Sequence, residues 1–143
     1  MVLMDITRAI NHAILERLVS DIELIELLGN NNIRVDIGAR SDEYPYIVFN
    51  VDISVGTGTP LVGTGRLEMH LWDKNPLTTR VNEMRGEIIK LLDCSELILP
   101  GGEAKGVRIF WDNSLKVPDS TEHIQHVVLL FMVKLIRSID LNY

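Results

Sequence analysis

The sequence predicts an α+β fold: a single domain over residues 1–143 with a mostly antiparallel sheet, one helix packed on a face of that sheet, and an N-terminal helical segment. Three observations predict it. Apolar residues recur at helical spacing from Ile6 to Leu28. From Ile33 onward the period falls to two, the pattern of strands with one buried face. One further helical stretch, opened by Asn75-Pro76, interrupts those strands. Strands in runs, with helices set apart rather than alternating one for one, give the α+β class. The 143 residues are a usual length for one domain and can bury about two-thirds of the unfolded surface without metal or disulfide staples.

Asp5 is the expected N-cap of a first helix, with Ile6, Ile10, Ala13, Ile14 and Leu18 on its apolar side. Ser20 and Glu23 form a capping-box pattern for a second, in which Ile22, Ile25, Leu27 and Leu28 make the buried stripe and Gly29 ends the helix. The two segments read equally as one bent helix or two short ones. Ile33, Val35 and Ile37 then alternate with polar residues in a short strand, and a polar turn follows over Ser41 to Pro45. Tyr46–Val55 is a long strand with Ile47, Phe49, Val51, Ile53 and Val55 on one face; Arg66–Asp73 repeats the pattern with Leu67, Met69 and Leu71. The Asn75-Pro76 helix runs to about Asp93 and buries Leu77, Val81, Met84, Ile88, Leu91 and Leu92. Leu97–Leu99 reads as a short strand or an approach segment, Val107–Trp111 as a strand, and Ser114–His123, polar and containing Pro118, as a loop. Ile124–Ile136 is apolar on both faces around Val127–Val133, which places it centrally in the sheet.

Composition excludes more than it identifies. There are 14 Lys+Arg against 20 Asp+Glu, a formal charge of −6, so no basic footprint for gripping nucleic acid is present. The longest apolar run covers Val127–Val133, far short of the ~20 residues of a membrane helix. MVLMDITRAI lacks the basic and apolar regions of a signal peptide, and the lone Cys94 has no internal disulfide partner, which together imply intracellular synthesis without export.

The sequence carries no pattern of catalytic or metal-ligating residues. His123 and His126 stand three apart, on opposite faces of a strand, with no third metal ligand near. His70 lies on the outward side of its strand beside Glu68 and Trp72, a solvated or interface residue, and His12 has no assigned role. Cys94, flanked by Asp93 and Glu96, reads as a small packing residue rather than a nucleophile. No serine sits in a G-x-S-x-G elbow, Asp42 and Glu43 lie in a turn, and no ionisable residue occupies an apolar-stripe position. Gly56-Thr57-Gly58 is followed by a strand instead of a helix N-terminus, so a phosphate cradle fails on context. No catalytic residue, cofactor or metal is assigned. Gly56-Thr57-Gly58-Thr59-Pro60-Leu61-Val62-Gly63-Thr64-Gly65 nevertheless makes a connection longer than a hairpin needs, either a flexible tip or a surface that orders against a partner.

The order of motifs resembles the tail-completion and tail-terminator family of long-tailed phages. Those motifs are the helical stretch Ile6–Leu28, the entry strand Tyr44-Pro45-Tyr46-Ile47-Val48-Phe49 after Ile33-Arg34-Val35, and the tryptophan-ending strand Arg66–Asp73. The helix bearing Val81, Met84, Ile88, Leu91 and Leu92 and the last strand, His126–Leu135, complete them, over about residues 3 to 137. The resemblance implies a virion protein, a subunit of a homohexameric ring that caps the head-proximal end of the tail tube. Its implied partners are further copies of itself, the major tail tube protein and the head-completion or connector protein, with genomic DNA passing through the lumen unbound and no membrane involved. Six copies at −6 each would carry about −36, and an acidic lumen would repel phosphates rather than trap them. In such a ring the 56–65 connection and Trp72 are the candidate interface, and Tyr46–Val55 and Ile124–Ile136 are candidates for pairing across subunits. The alternatives are another neck protein, such as a head-closure subunit built on a small β-barrel, or a cytoplasmic small-ligand-binding domain.

Overall fold

A computed structural model describes residues 3–35, 43–55, 62–99 and 104–137. In chain order the elements are α1 (Leu3–Val19), α2 (Ile22–Leu28), β1 (Ile33–Arg34), β2 (Tyr46–Val55), β3 (Val62–Lys74), α3 (Thr79–Leu92), β4 (Ser95–Leu97), β5 (Ala104–Val117) and β6 (Ile124–Arg137). One six-stranded sheet has the order β1-β2-β3-β6-β5-β4. β1 and β2 are parallel, and every other pair is antiparallel. The α+β class, the N-terminal helical segment and the helix on the sheet are as the sequence predicts, and β6 lies centrally between β3 and β5.

All three helices pack on one face. Ile6, Ile10, Ile14 and Leu18 of α1 and Val81, Met84, Ile88 and Leu92 of α3 meet Ile47, Phe49 and Val51 of β2, Leu67, Met69 and Leu71 of β3, and Leu129, Phe131 and Val133 of β6 in one core cluster. Strand parity fixes this arrangement, because alternate residues along each strand share a face. The opposite face carries no described element.

Several boundaries move, each for a local reason. α1 starts at Leu3, so Asp5 lies within its first turn rather than capping it. The N-cap of α2 is Asp21, not Ser20: its carboxylate accepts from the Leu24 N–H at 3.1 Å. The buried stripe of α2 is Leu24 and Leu28, with Ile25 and Leu27 packed against the core, while Ile22, expected in that stripe, is 74% exposed. Gly29 ends α2 as expected, with φ +70. Asn75 forms a turn upstream of α3, its Oδ1 accepting from the Leu77 N–H at 3.0 Å, and Leu77 is exposed. Cys94 is exposed at φ 58 in the turn between α3 and β4, not packed in the core.

The largest revision is β5. It extends to Val117, through residues expected to be loop, because register shifts between Trp111 and Asn113 and alternation changes phase there. Asp93 Oδ1 accepts the Trp111 N–H at 2.8 Å at this irregularity. β3 likewise begins at Val62, so Val62, Gly63, Thr64 and Gly65 of the ten-residue connection are strand. Ile37 and Asp42 fall outside the described residues.

Candidate functional site

The candidate interface was one site in sequence; in the fold its members separate. β2 and β3 run as a hairpin from the Tyr46↔Trp72 pair to the Val55↔Gly63 pair. Nine steps of about 3.3 Å put Trp72 and the connection at opposite ends, about 30 Å apart. Gly56, Thr57, Gly58, Thr59, Pro60 and Leu61 lie outside the described residues. They depart from the end of the sheet at which Val55, Val62, Ala104 and Arg137 also end or begin their strands. Gly63 is buried, Thr64 exposed and Gly65 half-buried within β3. Gly65 is required where it stands: a Cβ would press on the Asp52 carbonyl oxygen and lie 2.6 Å from Ile53 Cδ1.

Trp72 belongs to a ring stack on the sheet face away from the helices. Tyr44 and Tyr46 are 5.4 Å apart between centroids, Tyr46 and Trp72 6.0 Å, Trp72 and His126 3.6 Å, and His70 and His126 5.0 Å. The last three contacts join rings on even-numbered positions of β2, β3 and β6, the outward positions. His70 Nδ1 is 2.7 Å from His126 Nε2, and His70 Nε2 is 3.1 Å from Glu68 Oε2. His70 is therefore not a solvated residue, and His126 is only 8% exposed. Its partner lies 56 residues upstream, across the sheet. The signal that could have found the pair is parity, since both histidines fall on outward positions of strands whose core faces were already assigned.

Beyond the stack, the same face carries Val48, Val128, Leu130, Leu115 and Met132, with Leu115 and Met132 exposed. Arg34, Arg66, Arg108 and Lys134 also lie there by parity, with Asp52 opposite Arg66 and Glu96 3.8 Å from Arg108. On the helical side, Glu23, Glu26, Glu83 and Glu87 line a groove between α2 and α3. Desolvation, and then Asp21 and Glu23, push the Glu87 carboxyl above its ordinary range.

Both sheet edges are engaged by α1. Asn11, buried, accepts the outward Val51 N–H of β2 at 3.1 Å and donates to Asn50 Oδ1 at 3.0 Å. Arg17 Nη2 donates to the Glu96 carbonyl of β4 at 3.1 Å. β6 is paired along both sides, so Ile124–Ile136 cannot extend the sheet into a neighbour. β2 is open to such pairing only beyond Val51. One ionisable residue does occupy an apolar-stripe position: Asp73, fully buried on the core face of β3, takes a two-pronged bond from Arg80 at 2.6 and 3.0 Å. That bond is the main cause holding the Arg80 guanidinium above its ordinary value. Among the described residues no group of three or more His, Cys, Asp or Glu could hold a metal ion.

No protein-family profile and no curated protein sequence matches the chain. Among solved structures, the chain is similar to one from the virion of a native gene transfer agent particle, at 11% identity and a TM-score of 0.75. The match covers 90% of this chain and 96% of that one. At that identity the likeness establishes a common fold.

Proposed function

We propose that this chain is a structural virion protein of a phage-like particle, and within it the terminator that closes a homohexameric ring on the head-proximal end of the tail tube. The observation that carries the proposal is the near end-to-end fold match to a chain of a gene transfer agent virion, over 90% and 96% of the two chains. The order of sequence motifs supports the finer role. The sheet also supports it over a barrel-type head-closure subunit, because among the described residues β1 and β4 are edges and do not pair with each other.

Assembly by strand addition is limited by the α1 contacts at Val51 and Glu96. The end of the sheet from which 56–61 departs, and the outward face, are then the surfaces that remain for further copies, the tail tube protein and the head connector. Charge placement makes this reading more specific. Arg34, Arg66, Arg108 and Lys134 share the outward sheet face with Asp52, Glu68 and Glu96, whereas Glu23, Glu26, Glu83 and Glu87 line the α2–α3 groove beside Lys90. An acidic lumen therefore requires the outward sheet face to turn away from the DNA path.

The test is particle mass in solution with and without the major tail protein encoded beside this chain. A stable hexamer, or a monomer that becomes one only on tube ends, is expected. A chain that stays monomeric and leaves tube length unchanged overturns the terminator role. A ring with Arg66 and Lys134 on its lumen wall would overturn the acidic lumen and leave the terminator role intact.

A further inference from the structure

Resting on the ring proposed above, we propose that the outward sheet face docks the α2–α3 groove of the next copy of this chain, through Arg66, Lys134 and Arg108. These three cations stand together near the end of the sheet from which 56–61 departs. Lys134 of β6 is directly opposite Arg108 of β5 and diagonal to Arg66 of β3, whose own register partner on β6 is Met132. All three are exposed. Like charges directly opposite each other in a sheet repel, so the fold gains nothing from this cluster by itself. Carboxylates on the same face do not neutralise it. Glu68 is taken up by His70 at 3.1 Å, and Glu96 reaches only Arg108, at 3.8 Å. Asp52 is the register partner of Arg66, yet among the described residues neither Arg66 nor Lys134 forms an ion pair. Beside the cations the face is apolar and open, with Met132 and Leu115 exposed and Phe110 half-buried.

The chain carries the complement to that surface. Glu23, Glu26, Glu83 and Glu87 line the α2–α3 groove around Leu27, with Lys90 beside them. Opposite charges meet when the cationic patch of one copy faces the groove of another. Patch against patch would bring cations together, and groove against groove carboxylates. The groove carboxylates already crowd one another, since desolvation and then Asp21 and Glu23 hold the Glu87 carboxyl above its ordinary range. Cations brought into the groove favour the ionised form. The groove belongs to the helical layer and the patch to the other side of the sheet, so one chain cannot join its own two surfaces. A contact between two different patches is head-to-tail and repeats from copy to copy, the geometry that closes a ring. It requires nothing of the charge of the lumen.

The test is charge exchange between two full-length variants, under whichever condition gives hexamers of the parent, alone or on tube ends. One carries Arg66→Glu and Lys134→Glu, the other Glu26→Lys and Glu83→Lys. Every substituted side chain is exposed, and far-UV circular dichroism is the control for folding. Each variant alone should lose its hexamers in sedimentation, and an equal mixture should regain them. In an alternating ring of the two, each contact joins either two unaltered surfaces or two reversed ones. Hexamers of parent yield from either variant alone overturn the docking and leave the ring standing, as does a mixture that stays without hexamers. A parent that forms no hexamer under either condition overturns the ring and the docking together. Should a variant fail to fold, carbodiimide coupling of parent hexamers decides. Lys134 should be joined to Glu23, Glu26, Glu83 or Glu87 of another copy, and coupling of Lys134 only elsewhere, or none, overturns the docking.

Discussion

Two glycines show how differently the same residue type is constrained. In β3, Gly65 faces the Asp52 carbonyl and the Ile53 side chain with no room for a methyl group. Gly65→Ala should cost about 1–3 kcal/mol, the usual price of overpacking, read as a lower urea midpoint. Gly86 sits exposed in α3 with nothing within 4 Å of an added Cβ, so Gly86→Ala should stabilise by about 0.5–1 kcal/mol through helix propensity. Similar losses at both positions would contradict the packing described at Gly65. The Asp73–Arg80 pair is a stronger constraint. Asp73 is fully buried, and Arg80→Leu leaves its carboxylate without the guanidinium, at a cost of about 3–5 kcal/mol. Asp73→Asn in the same background should recover part of that loss, because the residual cost is an unpaired charge; a thermal melt of the three proteins measures it. Neither constraint was legible in the sequence. Gly65 looked like loop and Asp73 like a strand end, because each depends on what the neighbouring strand or the next helix brings to it.

Elements were legible where one period ran uninterrupted. β2 has the bounds its alternation predicts, Tyr46–Val55, and α3 buries Val81, Met84, Ile88 and Leu92 as spaced. Legibility failed where a backbone detail changed the phase: the irregularity at Trp111/Asn113 hid the second half of β5. Contacts between elements were not legible at all, and two of them give predictions. Asn11 is a buried polar residue on an apolar helix because it satisfies the Val51 N–H at the free edge of β2. Asn11→Ala strands that donor and should cost about 1–3 kcal/mol, with faster amide exchange at Val51 as the specific readout. At the α2–α3 contact, the raised carboxyl of Glu87 means that its ionised form is disfavoured in the fold. Stability tied to that group is present in acid and is lost as pH rises through the folded value. Glu87→Gln should therefore raise the melting temperature at pH 7, and the gain should vanish below about pH 4, where the carboxyl is protonated in both states. A gain independent of pH would assign the effect to something other than charge.

At the scale of the whole molecule, the two ends of the sheet differ in kind. One end is closed by rings and histidines on a face that shields its own apolar residues. At the other, Val55, Val62, Ala104 and Arg137 bring four strand ends together. Net charge, the least specific feature of the sequence, acquires some direction from the layers: four glutamates share the α2–α3 groove with one lysine, while the outward sheet face mixes Arg34, Arg66, Arg108 and Lys134 with Asp52, Glu68 and Glu96. If the chain works as a ring subunit, the 56–61 segment is the part whose removal separates folding from assembly. β2 and β3 are paired from Tyr46↔Trp72 to Val55↔Gly63 without it. Replacing 56–61 by Asn-Gly leaves three residues, Asn, Gly and Val62, between the Val55↔Gly63 pair, a short hairpin loop of a length antiparallel strands accept. The shortened chain should therefore melt within a few degrees of the parent, since loop length alters stability only slowly. It should nonetheless fail to form hexamers or to cap tail tubes, measured by sedimentation and by tube length in the same preparation. Hexamers of normal yield from the shortened chain would remove 56–61 from the interface and move the search to the outward sheet face, where Leu115 and Met132 are exposed beside Arg66 and Lys134.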